Sequence, residues 1–428
     1  MPTARPSILW LHADKFGCGT YRCFTPALTL EELGFDNNFV LHENIPAYGG
    51  IDKATPSIDA KSLLGKATDL SSAVTSVNLG PRAPSDVYDW LEGIDILVLQ
   101  RAVGYVFLEA MQECKRRGIV TVFESDDDLF NIHRSNPSAP YWHLPKVQKI
   151  LRAQLKLADH IICSTPPLKT TIVNAINCPA SKVTVCYNHI VPELWGAHVT
   201  SEDVQTRYRN VRTTEKGDEP YTVIGWQGSN THNLDFKEAL PALTRLVAER
   251  DDVILRFFGN VPLTIRGHIP ETRFQFAKGV DFEFYPSQLA YMNFDIGIAP
   301  VTDTKFNQAK SNLKWLEYSS IGVPTVASAV FPYAQSIDQG ITGIVARTDE
   351  DWYQALSTLL DNPEERRAMG MRAKAHVWQH WGKTRAQVWA DTFVALLRQQ
   401  HGEQLLPEFA RLPRDVPYAP GIATGTPA

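Results

Sequence analysis

Short runs of continuous apolar residues alternate with helical stretches along this chain. The alternation stops once and then restarts. In the first half the apolar runs are SILWLHA (7–13), DILVLQ (95–100), IVTVFES (119–125), HIICST (160–165) and KVTVCYN (182–188). Unbroken apolar runs of this length fit strands covered by helices on both faces. Helical segments fall between them: TPALTLEELG, GYVFLEAMQECKRRG with Gly118 as its stop signal, and LPKVQKILRAQLKLAD. Strands joined by helical crossovers lie parallel in one sheet. Residues 192–220 break the order. They are polar and charged and read as a surface linker with a short helix and no clear strand. The order resumes with YTVIGWQG (221–228), VILRFFG (253–259), FQFAKGV, DIGIAPV (295–301), PTVAS (324–328) and GIVAR (343–347). A helical run from 350 to about 401 follows.

The length of 428 residues accommodates two such α/β halves. The expected division is an N-terminal Rossmann-like domain at 1–191, a linker at 192–220 and a C-terminal Rossmann-like domain at 221–385. A helix at 386–406 is expected to return to the first domain, and 407–428 to form an irregular tail. With 42 Lys+Arg against 47 Asp+Glu, the net charge of −5 excludes a highly basic nucleic-acid coat. The six cysteines include no CxxC pair and read as free thiols of a reducing compartment. No Cys/His group has zinc spacing, so no metal is expected. The N-terminal apolar run spans only four or five residues, and no segment approaches the roughly 20 of a membrane span. The expectation is a cytoplasmic protein, either free or peripheral at a membrane.

In open α/β sheets ligands bind beyond the carboxyl ends of the strands, and four segments there carry candidate chemistry. Gly17 and Gly19, after the first strand, would let the backbone approach a phosphate or sugar, with Arg22 able to pair with an anion; a plain tight turn is the alternative. The third glycine of a GxGxxG fingerprint is absent, which argues against a dinucleotide-dependent dehydrogenase. Glu124, Asp126, Asp127 and Asp128 cluster at the carboxyl end of the strand at 119–125. So many carboxylates at one strand end repel each other unless used for hydroxyl binding, a cation or general-base work, or as N-caps. Gly228, Ser229 and His232 stand at and just after the end of the first strand of the second half, where small residues and a hydroxyl suit a phosphate or sugar; a plain helix cap is the alternative.

The fourth segment is KSNLKWLEYSSIGVP, with Lys310, Ser311, Asn312, Lys314 and Glu317. Ser311 reads as the N-cap of a helix. Lys314 and Glu317, three apart, share one face near the helix start, where a lysine can neutralise phosphate and a carboxylate can accept two ribose hydroxyls. An ordinary surface ion pair is the alternative at that spacing.

KSNLKWLEYSSIGVPTVAS resembles the donor-binding segment of GT-B glycosyltransferases, in particular the large, mostly retaining group with many mannosyl- and glucosyltransferases. VIGWQGSNTHNLDFKEALPAL is similar to the opening of that family's C-terminal domain, the Gly17–Gly19 segment to its N-terminal glycine loop, and TDEDWYQALSTLLDNPEERRAMG to its closing helices. The resemblance implies a GT-B fold, α/β, with two Rossmann-like parallel-sheet domains facing across a cleft. It implies that Lys314 contacts a donor diphosphate, that Glu317 contacts ribose hydroxyls, and that Gly17 and Gly19 approach the diphosphate or sugar. Glu124 stands where the family often places a polar residue beside the transferred sugar. The chain departs from the family pattern at Ala309, where a first Glu often stands, and at Ser229, Asn230 and His232, which replace a basic pair. Lys310 would restore the missing positive charge.

The function implied is metal-independent transfer of a hexose from a UDP- or GDP-sugar, used as co-substrate with no bound cofactor, to an acceptor held mainly by the first domain. Glu124 or Asp126–Asp128 would orient that acceptor or take its proton. The acceptor expected is a glycan, a lipid-linked precursor or another cell-surface precursor. Residues 146–182 hold six Lys/Arg and one acid, Asp159, which reads either as a solvated basic helix face or as a surface for an anionic acceptor: a lipid-linked phosphate, an anionic leaflet or nucleic acid. Two further readings stand beside it. One is a phage-type enzyme glycosylating hydroxymethylated DNA bases, which would need the base extruded. The other is a catalytically silent GT-B partner that binds a nucleotide sugar.

Overall fold

The computed structural model describes residues 5–14, 17–41, 88–196, 211–214 and 217–402. The first half contains β1 (Ser7–His12), β2 (Asp36–Leu41), β3 (Ile96–Gln100), β4 (Val120–Ser125), β5 (His160–Cys163) and β6 (Val183–Val185). They form one parallel sheet in the order β2-β1-β3-β4-β5-β6. Alternate side chains serve opposite faces, as the strand repeat requires. Leu9, Leu11, Leu97, Leu99 and Phe123 enter one core, while Ile8, Trp10, Ile96, Val98 and Val122 enter the other.

Strand β2 is absent from the sequence reading because DNNFVL opens on three polar residues. The fold uses the polarity: buried Asn37 accepts the Trp10 indole N–H at 2.9 Å and donates to the Ala27 carbonyl at 3.2 Å. The linker reading also needs correction. It contains the short helix Pro192–Trp195, but Val211–Thr214 (β7) and Gly217–Pro220 (β8) pair as an antiparallel hairpin. Their polar sequences carry no apolar run to mark them as strands. Residues 197–210 and the tail at 407–428 lie outside the described residues.

The second half contains β9 (Thr222–Gly228), β10 (Val253–Gly259), β11 (Phe274–Lys278), β12 (Ile296–Ala299), β13 (Thr325–Ser328) and β14 (Ile344–Ala346). All are parallel, in the order β11-β10-β9-β12-β13-β14. This is the doubly wound order, whose connections diverge between its first and fourth strands and leave a crevice there. In this sheet the crevice lies between the ends of β9 and β12. In the first sheet the equivalent divergence lies between β1 and β3.

The two halves are joined at their backs. The helix Gln387–His401 packs Trp389, Phe393 and Leu397 into the core that holds Trp10 of β1. The Trp10 and Trp389 rings lie 5.7 Å apart. Ile190 donates its amide to the Trp381 carbonyl at 2.8 Å. All six cysteines are free thiols. Among the described residues no helix is long and apolar enough to cross a membrane.

Candidate active site

A cleft of about 660 Å³ opens where the carboxyl ends of the two sheets face each other. From the first half it is lined by Asp14, Gly17, Cys18, Tyr21, Asp126, Asp127 and Asn188. From the second half come the ends of β9 to β11 and the segment Lys310–Glu317.

The helix Leu313–Ser320 supplies the densest chemistry. Trp315, wholly buried, anchors it by donating its indole N–H to the Thr342 carbonyl at 2.9 Å. Asn312, not Ser311, occupies the N-cap position, and its side chain donates to Ser336 at 2.9 Å instead of capping. Ser311 accepts from Asn188 of the first half at 3.0 Å. No side chain therefore caps the positive end of this helix, which faces the cleft beside Lys310, Ser311 and Lys314.

Lys314 and Glu317 are both nearly buried and do not pair with each other directly. The Lys314 ammonium donates to His232 Nε2 at 3.4 Å, and His232 Nδ1 donates to Asp235 Oδ2 at 2.8 Å. Asp235 Oδ1 accepts from the Thr302 amide and from Asn307, which holds the carboxylate in place. Burial pulls the Lys314 amine down to about 8, reinforced by the nearby Lys310 charge. Burial, together with Lys314 and Lys310, drops His232 to about 3, so its ring is neutral and can accept from the lysine.

Glu317 is held from both halves. Oε1 accepts from the Tyr21 hydroxyl at 3.0 Å, and Oε2 accepts from Gln227 at 2.6 Å and from the Tyr285 hydroxyl at 2.9 Å. Burial raises its carboxyl to about 7, against the opposing hydrogen bond from Tyr285, the Lys314 charge and the hydrogen bond from Tyr21.

The carboxylates at the end of β4 separate into two pairs with different surroundings. Asp126 and Asp127 line the cleft. Arg101 reaches both, at 3.5 and 3.4 Å, and also Asp14 at 2.8 Å. Its backbone has φ of 50°, a left-handed conformation that turns the chain sharply as it leaves β3. Against the cost of burial, Arg101 holds Asp126 below its ordinary range. Burial and the charge of Asp126 push Asp127 above its own range, opposed by Lys310 across the cleft.

Glu124 and Asp128 do not line the cleft. Glu124 is fully buried and pairs with Arg22 Nε at 2.6 Å. Arg22 is equally buried; it donates to the Cys186 carbonyl and to Asn188 and lies 5.1 Å over the Trp389 ring. The expectation that Arg22 meets a donor anion and Glu124 an acceptor is thus corrected: each is consumed by the other inside the first half. Asp128 accepts from the amides of Phe130 and Asn131 and from the Asn131 side chain, so it caps the turn that follows.

The glycines also divide. Gly17 faces the cleft, with no atom within 4 Å of where a Cβ would stand, so a ligand can approach it. Gly19 is off the cleft; a Cβ there would lie 1.9 Å from the Asp14 carbonyl oxygen, so close backbone packing requires it. The chain is already helical at Gly17, earlier than the loop read from the sequence. Gly228, Ser229 and His232 all line the cleft. Tyr21, Gln227, Asp235 and Tyr285 were not foreseen. Tyr21 lay inside the GCGTYR segment and Asp235 stands three residues after His232, which were usable signals; Tyr285 had none. Among the described residues no group of three or more His, Cys, Asp or Glu is arranged to hold a metal ion.

Two doubly wound sheets facing across a cleft, with Lys310, Lys314 and a helix start on one wall, have the architecture of the GT-B class. Comparison with known proteins narrows this further. Residues 245–391 match the model of a family described as glycosyl transferase-like. HepE from Anabaena, solved with UDP-glucose, is similar in structure with a TM-score of 0.60 and 14% identity, over 91% of this chain and 99% of that one. Sucrose-phosphate synthase from Thermosynechococcus elongatus gives 0.60 and 14%, over 91% and 100%. A glycosyltransferase from Rickettsia africae gives 0.59 and 13%, over 92% and 98%. No curated protein matches in sequence. The fold is that of GT-B proteins, and about a third of the chain, in its second half, matches the glycosyl transferase-like family model.

Proposed function

We propose that the chain transfers a hexose from a uridine diphosphate sugar to a hydroxyl-bearing acceptor. The observation that carries this reading is the joint placement of Lys310, Lys314, an uncapped helix start and Glu317 along one wall of the cleft. The wall offers two ammonium groups and a positive helix end to a diphosphate, and a carboxylate one helical turn on to two ribose hydroxyls. The uridine nucleotide is favoured because HepE is a structural neighbour solved with UDP-glucose.

In this proposal the second half, 221–385, holds the donor, and the first half, 1–191, holds the acceptor. Departure of the diphosphate leaves positive charge at the anomeric carbon. Lys310, Lys314 and the helix end offset the charge on the leaving group. Asp127, held above its ordinary range in the opposite wall, takes the acceptor proton. Arg101 positions it, and Gly17 leaves room for the sugar. A thermal-shift screen against nucleoside diphosphates and their sugars tests the donor. At a hundred times its dissociation constant a ligand adds about 2.7 kcal/mol. Stabilisation by uridine diphosphate supports the reading, and stabilisation by guanosine diphosphate alone overturns the nucleotide assignment.

A further inference from the structure

From Leu129 to Ala158 the chain contains no Asp or Glu and five Lys/Arg, although the whole protein is acidic. The helix Pro145–Leu157 occupies the end of this stretch. Val147, Ile150, Leu151 and Leu155 face the core, and Lys146, Lys149, Arg152 and Lys156 follow one another on the outer side at spacings of three or four. Arg152 is tied to Gln148 and lies over the Phe130 ring. Lys146, Lys149 and Lys156 are exposed and, among the described residues, in no ion pair. Lys182 donates to the Lys156 carbonyl and adds a cation at the far end. The charged stripe runs about 20 Å, the length of the helix.

Exposed apolar side chains gather at the near end of this stripe. Tyr105, Tyr141 and Leu144 are 53%, 47% and 50% exposed, and Lys146 lies over the Tyr105 ring at 5.2 Å. The helix connects parallel strands β4 and β5, so it starts toward the carboxyl edge of the sheet, the edge that faces the cleft, and Phe306, four residues before Lys310, packs into the same core as Val147 and Ile150. Glu109, on the neighbouring helix, is the exposed acid nearest in the chain to Tyr105.

We propose that this face docks on an anionic lipid leaflet. The lysines lie against the headgroups, and Tyr105, Tyr141 and Leu144 enter the interface at the mouth of the cleft. Lysines beside tyrosine and leucine tips match the boundary between headgroups and acyl chains. Duplex DNA, with its bases stacked inside, would use the charges and leave Leu144 and the two tyrosines without a partner. The inference deepens the acceptor half of the proposed function, since a docked cleft mouth would meet a lipid-linked acceptor in the membrane plane. It does not depend on the donor.

The test uses the full chain and cosedimentation with phosphatidylcholine vesicles, with and without phosphatidylglycerol, in low and high salt. Uridine diphosphate binding is measured on the same samples. The expected result is binding only to anionic vesicles, weakened by salt, and weakened at least about tenfold in K146E/K149E/K156E. Y141S/L144S should lose the binding that survives at high salt. If charge reversal prevents folding, K146Q/K149Q/K156Q should show the same direction. Absence of vesicle binding by the unmodified chain overturns the inference. So does a triple variant that binds as tightly as the parent, or duplex DNA that displaces the vesicles at equal salt. Vesicle binding that persists when uridine diphosphate fails to bind sinks the donor reading and leaves this one standing.

Discussion

The Tyr21 hydroxyl donates to Glu317 Oε1 at 3.0 Å, joining two residues that lie 296 positions apart on opposite walls of the cleft. With Gln227 and Tyr285 on the other oxygen, Glu317 already accepts three hydrogen bonds. A carboxylate offers about four lone-pair sites, so two ribose hydroxyls cannot both be accepted unless a donor gives way. Tyr21 comes from the other half, so a widening of the cleft would release it while Gln227 and Tyr285 stay on Glu317. Tyr21→Phe should therefore bind uridine diphosphate more tightly, by about 3- to 10-fold if one hydrogen bond of roughly 1 kcal/mol no longer has to be broken. Calorimetry measures this; weaker binding would mean that Tyr21 holds the nucleotide itself.

Donor affinity should trace a bell against pH. Burial raises Glu317 to about 7, so its carboxylate is gained as pH rises through that value. Burial lowers Lys314 to about 8, so its ammonium is lost as pH rises through that one. Affinity should peak between them. Glu317→Gln should flatten the acid limb, and Lys314→Arg should flatten the alkaline limb because a guanidinium keeps its charge. A bell unchanged in both variants would place the titrating groups elsewhere.

The Arg22–Glu124 pair should prove structural. Arg22→Ala leaves Glu124 buried without its partner, and removing one partner of a buried pair typically costs about 3–5 kcal/mol. Glu124→Gln removes that charge and should cost less. Burial raises Glu124 to about 7, with Arg22 opposing, so the folded state holds this proton more tightly than the unfolded chain. Its contribution to stability therefore falls as pH rises from the ordinary carboxyl value through 7. Denaturant melts of Glu124→Gln should lose that component. Turnover in Glu124→Gln should stay near the parent value, and a loss beyond about a hundredfold, the lower end of general-base effects, would restore Glu124 to the chemistry.

Asp127→Asn should separate catalysis from donor binding. Removing a general base commonly costs about 10²–10⁴-fold in rate. The expected outcome is a fall in kcat of that order with uridine diphosphate affinity unchanged. An equal loss in Asp126→Asn, with Asp127→Asn unaffected, would transfer the role to its neighbour.

The parallel-sheet architecture was legible because its strands are unbroken apolar runs such as SILWLHA and VILRFFG, which only a sheet covered on both faces can bury. β2 was hidden because DNNFVL opens on polar residues whose partners, such as Trp10 for Asn37, the local sequence does not announce, and the β7–β8 hairpin because VRTT and GDEP carry no apolar run. At the cleft, positions on one helix were readable: Lys314 and Glu317 share a face by spacing alone. What pairs with each was not. Glu124 stood beside three Asp, and nothing local indicated that Arg22, 102 residues earlier, would neutralise it. The bond from Tyr21 to Glu317 depends in the same way on how two sheets meet. Ala309 shows the reverse case. It stands where the resemblance led one to expect a Glu, and the structure buries it in the first half's core, with its carbonyl accepting from Thr165 at 2.6 Å.

The central claim is that the wall formed by Lys310, Lys314 and Glu317 binds a nucleotide diphosphate. The most direct measurement is calorimetric titration of uridine diphosphate into the parent chain and into Lys314→Ala, with melting curves taken on both. The account predicts binding by the parent and a loss of at least about tenfold in the variant, since a charge-assisted contact is worth about 1.5–3 kcal/mol. The melting curves should show both chains folded. Equal affinity in the two folded proteins would contradict it.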